Sequence, residues 1–237
     1  MGGYFGCCKG PDLKVIISNT TEVGIQFISD DVRKHPPISY PDKLLAVLYA
    51  RYNAFKGSGD SGLIIIPTEL IVDNGKKLEA IVLELAHLNK LEPEFMDWLE
   101  KSNKFCDSLV DRIVPGKPDW GLEEKMDNER GYTDVLNIIS EPYSLWAIEG
   151  DDRIASVLAF SQADKGVIIT PDIGLFRELK LRLLNGAHTL SCAAVFLSGF
   201  NTVKEGMDDV AFSNFISGLL FNEIMSAIPY AIERGHC

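Results

Sequence analysis

The stretch Leu63-Ile-Ile-Ile-Pro67-Thr-Glu69 decides the fold of this chain. Its apolar residues, mostly β-branched, form a run too short for a helix and typical of a buried strand. A second such run, Leu13-Lys-Val-Ile-Ile-Ser18, ends in the polar cluster Asn19-Thr-Thr-Glu22. Because open α/β sheets bind ligands outside the carboxyl ends of their strands, Thr21 and Glu22 are candidate binding residues. From the local sequence alone, a turn or a helix N-cap is the simpler interpretation.

Around these two strands, helical and strand-like patterns alternate as far as about residue 170. Helices are predicted at 40–55, 76–88 and 92–104, and further strands at 106–114, 143–149 and 166–170. Residues 116–133 are charged and lack a period, which predicts a surface excursion. From Pro171 onward the pattern predicts one long helix to about Leu197 and a second at roughly 207–228. The predicted fold class is therefore α/β followed by all-α, with domains at 1–170 and 171–237.

Composition excludes several classes of protein. A formal net charge of -11 over 237 residues argues against a nucleic-acid surface. No apolar run reaches the length of a membrane span, so no membrane partner is expected. The five cysteines are odd in number and match no zinc spacing, which favours reduced thiols, a cytoplasmic protein and no metal.

The glycine run Gly57-Ser-Gly-Asp-Ser-Gly62 matches the pattern G-x-G-x-x-G of dinucleotide-binding loops. That fingerprint must follow a strand and open a helix. This run follows a predicted helix and precedes a predicted strand, so we interpret it as a flexible connection rather than a phosphate site.

Three polar residues stand among leucines in the stretch Lys180-Leu-Arg-Leu-Leu-Asn185-Gly-Ala-His188-Thr189. On an α-helix, Asn185 lies about 140° and His188 about 80° around from Lys180, so they share less than half the circumference. Each residue alone is more simply a snorkelling lysine or a satisfied polar group on a core helix. Together they predict a site.

Several stretches, in the same order along the chain, resemble one family. They are Ser18–Glu22, Leu63–Glu69 with Asp73–Gly75, Ser108–Gly116, Glu141–Glu149 and Lys180–Thr189. The chain resembles the long-chain, metal-independent polyol and uronate dehydrogenases, the mannitol dehydrogenase family, and within it the tagaturonate reductase (altronate oxidoreductase) branch. The family motif K-x-x-x-x-N-x-x-H is met in full by Lys180, Asn185 and His188.

The resemblance implies the remainder of a Rossmann-type α/β domain joined to a helical domain like that of 6-phosphogluconate dehydrogenase. It also implies an NAD-dependent enzyme that interconverts a uronate ketose and its alditol acid, so the partner is a small sugar acid. Lys180 would be the general acid/base, Asn185 would donate to the developing alkoxide, and His188 would hold a substrate hydroxyl. Thr21 and Glu22 would line the nicotinamide site.

Two differences from the family pattern limit how far these family roles apply to this chain. Polyol-acting members carry Asp-Asn where this chain has Glu69-Leu70, so an oxyanion amide is missing there; Asn74 is the nearest amide and becomes a candidate substrate-binding residue. Asp111 is a second candidate, either as a ligand contact or as part of a buried ion pair. The family chain is also about twice as long, which implies that this chain is the middle part of a longer member and weak or inactive alone.

Three alternatives remain open at this point. The substrate could be fructuronate or a mannitol-type polyol instead of tagaturonate and altronate. A different class of function, a non-catalytic interaction or scaffold protein that keeps the family core, is also compatible with the sequence. The oligomeric state is not predicted.

Overall fold

The computed structural model describes residues 6–21, 23–34 and 36–232. The chain divides into two compact units, Met1–Pro171 and Asp172–Cys237. The first unit mixes strands and helices, and the second contains helices in its described residues. The predicted fold class, α/β followed by all-α, is therefore confirmed.

The first unit contains a parallel sheet built on the two strands predicted from β-branched runs. Its order is β1 (Val15–Ser18), β2 (Ile64–Pro67) and β3 (Lys104–Phe105). Val15 pairs with Ile64 and Ser18 pairs with Pro67, so β1 and β2 end together at one edge. All residues of β2 are buried, as expected for the central strand of a sheet covered on both faces.

A second sheet follows directly in the chain, after the short β3 that the sequence did not predict. It has the order β4 (Ser108–Asp111), β5 (Leu145–Glu149) and β6 (Val167–Thr170), with β4 antiparallel and β6 parallel to β5. Ile148 of β5 packs with Ile66 of β2 in one buried cluster. The two sheets of this unit therefore share part of their core.

Helices alternate with the strands of this unit. They are α1 (Tyr40–Ala54), α2 (Asn74–Leu88), α3 (Pro93–Ser102), α4 (Trp120–Arg130) and α5 (Asp152–Val157), with short 3-10 turns at Cys7–Lys9, Gly59–Ser61 and Ala159–Gln162. The glycine run 57–62 connects α1 to β2, as predicted. A Cβ on Gly62 would lie 1.7 Å from the carbonyl oxygen of Ser102, so a glycine is needed there for close packing.

The predicted surface excursion at 116–133 contains a helix, α4, that its lack of a period did not predict. Asp119 caps this helix by accepting a hydrogen bond from the amide of Leu122 at 3.0 Å, and Gly131 ends it with φ +77°. None of the residues of α4 is buried. Its caps rather than an apolar period specify it, which is why a search for hydrophobic periodicity misses it.

The second unit begins with one continuous helical run. It comprises α6 (Gly174–Glu178), a π-helical turn (Leu179–Asn185) and α7 (Gly186–Leu197); α8 (Val203–Asp208), α9 (Val210–Gly218), a second π-helical turn (Leu219–Ile224) and a 3-10 turn (Met225–Ala227) follow. The single helix predicted at about 207–228 is wrong. Asp209 is extended, at φ -80° and ψ 125°, and accepts from the amide of Phe212 at 2.9 Å. It therefore ends α8 and caps α9. None of the helices in the described residues has the length and apolarity to cross a membrane.

Arg51 joins the start of the described chain to α1. Its side chain is 1 % exposed, and its guanidinium donates to four carbonyl oxygens: Ser61 at 2.6 Å, Cys8 at 2.7 Å, and Gly10 and Leu13 each at 3.0 Å. Burial lowers the pKa of Arg51, yet an arginine keeps its charge in proteins. The cation therefore donates to three carbonyls of the segment that leads into β1.

We expect Arg51→Lys to lower the free energy of unfolding of the first unit by about 3 kcal/mol, because a single ammonium cannot reach all four carbonyls and leaves buried acceptors unpaired. All three tryptophans, at 98, 120 and 146, lie in this unit, so urea unfolding followed by tryptophan fluorescence measures it. The control Arg153→Lys, at an exposed position, should change stability by less than about 0.5 kcal/mol. Equal effects of the two substitutions would contradict the role of Arg51.

Asp42 is a buried carboxyl group in the first turn of α1. It is 0 % exposed and accepts a hydrogen bond from the hydroxyl of Ser39. Burial raises the pKa of Asp42 above its ordinary value. Its favourable contribution to stability is therefore complete below the unfolded pKa of about 3.9 and is lost as the pH rises through the higher folded pKa.

We accordingly expect Asp42→Asn to make the protein more stable than the wild type at pH 7, with the difference shrinking as the pH falls towards 4. The asparagine keeps an oxygen for Ser39 and has no charge to bury. Urea unfolding at a series of pH values measures this difference, and Asp12→Asn at an exposed position is the control. A difference independent of pH would contradict the role of the buried charge.

Candidate active site

The carboxyl ends of β1 and β2 form a polar edge in the first unit. Glu69, which follows β2 and is 3 % exposed, accepts hydrogen bonds from the hydroxyl of Ser18 at 3.0 Å and from the amide and hydroxyl of Thr20 at 2.9 and 2.8 Å. Thr21, which follows Thr20 in the chain, is exposed. Glu22, the second predicted cofactor-lining residue, lies outside the described residues. At this edge, an exposed Thr21 therefore follows a residue that is bound by a buried carboxylate, and both oxygens of that carboxylate accept hydrogen bonds.

Asn74 lies under this edge as a structural residue. Its side-chain nitrogen donates to the carbonyls of Pro67, Glu69 and Ser108 at 3.1, 3.0 and 2.9 Å, and its side-chain oxygen accepts from the amides of Gly75 and Ser108, both at 2.9 Å. The residue is 1 % exposed. Because this network occupies the whole amide, we propose that Asn74 joins β2, α2 and β4 instead of binding substrate as the sequence suggested.

Gly75 allows this arrangement. A Cβ at this position would lie 2.5 Å from the carbonyl carbon of Cys106 and 2.6 Å from the amide nitrogen of Asp107. Only a glycine lets α2 start this close to the connection between β3 and β4. The Asn-Gly pair in the family-like stretch is thus explained by packing.

An ion-pair group lies at the same start of α2. The ammonium of Lys76 is 2.8 Å from Asp107 and 3.3 Å from Glu149, and the backbone amide of Lys76 donates to Asp107 at 3.0 Å. The hydrogen bond that Lys76 donates to Asp107, more than the one it donates to Glu149, raises the pKa of Lys76. Lys76 is therefore a persistent cation that ties the start of α2 to the connection between β3 and β4 and to the end of β5.

Asp111, the other predicted substrate contact, ends β4. It is half-buried, while its neighbour Arg112 is exposed and donates to the carbonyl of Glu141 at 3.0 Å. The two side chains thus have different surroundings, and Arg112 lies just beyond the end of β4 rather than within the predicted strand 106–114. A ligand contact for Asp111 stays a prediction.

The second unit contains the three residues of the lysine motif. Lys180 is half-buried in the π-helical turn 179–185, whereas Asn185 and His188 are exposed. The amide of Gly186 donates to the carbonyl of Leu181, a bond across five residues that defines π-helical winding. Such winding brings residue i+5 onto the face of residue i, so Asn185 lies nearer to the face of Lys180 than the expected 140°. π-helical turns are rare in proteins as a whole, but those that occur frequently lie at functional sites.

His188 follows Asn185 by three residues, at the start of α7. Its Nδ1 lies 2.8 Å from the carbonyl oxygen of Leu184. Because a carbonyl can only accept, the neutral ring carries its proton on Nδ1 and leaves Nε2 as an acceptor. His188 can therefore accept a hydrogen bond from an external hydroxyl.

Two family models match this chain. The mannitol dehydrogenase Rossmann domain matches residues 8–161, and the mannitol dehydrogenase C-terminal domain matches residues 172–235. The chain belongs to the mannitol dehydrogenase family. The resemblance found in the sequence is thereby confirmed for the family.

Curated relatives carry the name altronate oxidoreductase. The chain is 43% identical over 217 residues to that of Bacillus subtilis, covering 91% of this chain and 45% of the relative. It is 41% identical to that of Halalkalibacterium halodurans, covering 92% and 42%, and 38% identical to that of Pectobacterium carotovorum, covering 95% and 46%. The chain thus spans about half the length of the curated relatives it matches.

Two solved structures share the fold. Mannitol 2-dehydrogenase of Pseudomonas fluorescens, in a ternary complex with NAD and D-mannitol, matches with a TM-score of 0.66 and 21% identity over 98% of this chain and 48% of that one. A D-sorbitol dehydrogenase in substrate-free form matches with a TM-score of 0.75 and 18% identity over 96% and 48%. At these identities the likeness shows the fold.

We expect Asn74→Asp to lower the free energy of unfolding of the first unit by about 3 kcal/mol at pH 7, because a carboxylate oxygen would face three carbonyl oxygens. The loss should shrink towards pH 4, where a protonated carboxyl can donate. Urea unfolding monitored by tryptophan fluorescence measures both.

The matched control is Asn53→Asp, since exposed Asn53 makes one side-chain bond, to the carbonyl of Tyr49 at 2.9 Å. It should change stability by less than about 0.5 kcal/mol. A stable Asn74→Asp protein that had lost only substrate binding would contradict the structural role and restore the sequence-based prediction.

Proposed function

We propose that this chain provides the proton-transfer and substrate-binding part of an NAD-dependent oxidoreductase that interconverts tagaturonate and altronate. The observation that carries the proposal is the π-helical turn that brings Asn185 towards the face of Lys180. His188 follows three residues later, in α7. This turn occurs in a chain that is 43% identical to a curated altronate oxidoreductase. The name of those relatives, altronate oxidoreductase, supports the choice of a sugar acid over a simple polyol.

Lys180 is the proposed general acid/base. In reduction, its ammonium gives a proton to the carbonyl oxygen of the ketose; in oxidation, the amine takes the proton from the alcohol. When bound, the nicotinamide supplies or accepts the hydride.

Asn185 and His188 would hold the substrate in place. The amide of Asn185 would donate a hydrogen bond to the oxygen that gains negative charge, a preorganised dipole of the kind that lowers the barrier. The free Nε2 of His188 would accept from a hydroxyl of the same substrate, since its Nδ1 is committed to Leu184. Asp111 is kept as a proposed substrate contact.

The edge formed by β1 and β2 fits the nicotinamide side of NAD. It offers an exposed threonine at the carboxyl end of parallel strands, where such sheets bind ligands. Thr21 and Glu22 would line this site. The glycine run 57–62 does not serve the pyrophosphate, because it enters a strand instead of a helix. Among the described residues, no group of three or more His, Cys, Asp or Glu side chains could hold a metal ion.

We expect Lys180→Ala to lower kcat/KM for tagaturonate with NADH by about a thousandfold, the size of a general-acid contribution. Added methylammonium should restore part of the rate. The control is Lys204→Ala, which removes an exposed ion pair with Asp208 in the same unit and should leave the rate unchanged. Circular dichroism of both variants shows that they fold alike.

Two results decide the proposal. Activity of Lys180→Ala equal to that of the wild type would remove this residue from proton transfer and overturn it. A purified chain that neither binds NADH nor reduces tagaturonate would agree with the expectation that the chain is weak or inactive alone, and would refute catalysis by this chain without a further part of the enzyme. With an active chain, comparison of tagaturonate, fructuronate and fructose tests the substrate, and we expect the highest kcat/KM for tagaturonate.

A further inference from the structure

Glu69 is a buried carboxylate outside the lysine motif. Its three hydrogen-bond donors are the hydroxyl of Ser18 and the amide and hydroxyl of Thr20, some 50 positions away in the sequence. All of them belong to the end of β1 or the residues just after it. One acidic side chain from the β2 end therefore binds the chain that leaves β1.

The carboxylate of Glu69 accepts hydrogen bonds just beyond the last residue pair of β1 and β2. The register between β1 and β2 closes with Ser18 and Pro67, and the carbonyl of Ser18 accepts from the amide of Thr68 at 2.8 Å. The amide of Thr20 bonds to Glu69 instead of to a neighbouring strand. Hydrogen bonds to a charged acceptor are stronger than those between neutral groups, so the position of Thr20 depends on Glu69.

The turn after Thr20 packs against the hydroxyl that Glu69 holds. The amide of Gly24 donates to the carbonyl of Thr21 at 2.8 Å. A Cβ on Gly24 would lie 1.9 Å from the hydroxyl oxygen of Thr20, so the chain returns to within contact of that residue. Thr21, between these two fixed points, remains exposed.

We propose that Glu69 is a positioning residue that fixes Thr20 and thereby presents Thr21 to the nicotinamide end of the cofactor. The inference rests on the proposed function, because Thr21 is a cofactor contact only there. Glu69 is then needed for ordered cofactor binding without touching the cofactor itself. The carbonyl of Glu69 is held in turn by Asn74, at 3.0 Å, so the carboxylate projects from a fixed backbone.

The test compares Glu69→Ala and Glu69→Gln with a matched control at the other end of β2. Asn103 is also buried; it accepts from the amide of Leu63 at 3.0 Å and donates to the carbonyls of Trp98 and Leu99. Asn103→Ala should therefore destabilise the same unit without affecting the carboxyl end of β1. Hydrogen exchange of backbone amides, followed by NMR, reports on the turn without any cofactor.

We expect Glu69→Ala to speed amide exchange at Thr20 by about tenfold or more and to raise the Kd of NADH by about tenfold, corresponding to the loss of about one net hydrogen bond. Glu69→Gln keeps an oxygen that can face Thr20 and should recover part of both effects. Asn103→Ala should leave both values near those of the wild type. NADH fluorescence measures the Kd.

A double-variant cycle separates positioning from general destabilisation. If Glu69 acts through Thr21, then Thr21→Ala should weaken NADH binding, and Glu69→Ala should add little to it. Fully additive effects, or Thr20 exchange in Glu69→Ala equal to that of the wild type, would overturn the inference. A wild-type chain that binds no NADH would instead overturn the cofactor part of the proposed function, while the exchange rates would still decide whether Glu69 orders the turn.

Discussion

The side-chain amide of Asn74 is the contact on which the strand edge of the first unit depends. It holds the carbonyls of Pro67, Glu69 and Ser108 at one point, and so joins the end of β2, the start of α2 and the start of β4. The chain passes from one sheet to the other here, and the hydrogen bonds between strands stop. The five hydrogen bonds of the Asn74 side chain hold the backbone together at this point. The exposed edge is thus built on a buried polar centre rather than on apolar packing alone.

Much of this fold follows from the sequence because local and long-range preferences agree. β1 and β2 are short β-branched runs with no helical alternative, and α1 has both a Ser39 cap and an apolar face. Elements specified by caps alone were missed. The helix α4 buries no side chain, and the break at Asp209 depends on one capping carboxylate.

The candidate site was predictable to a smaller extent. Lys180, Asn185 and His188 were found through a spacing that resembles the family, but their arrangement rests on π-helical winding, which a reading at 100° per residue does not contain. The donors to Glu69 lie 49 and 51 positions away, and Asn74 reaches Ser108, which lies 34 positions away. Such pairings appear only when the strands are in register, so a local pattern cannot reveal them.

The π-helical turn makes the length of its segment matter more than its composition. Between Lys180 and Asn185 lie three leucines and an arginine. Apolar exchanges among those leucines would keep the winding, whereas deletion of one residue would let the segment rewind as an ordinary α-helix and rotate everything after it by about 100°. Relatives that keep this chemistry should therefore vary in the identity of the intervening residues but hardly ever in their number.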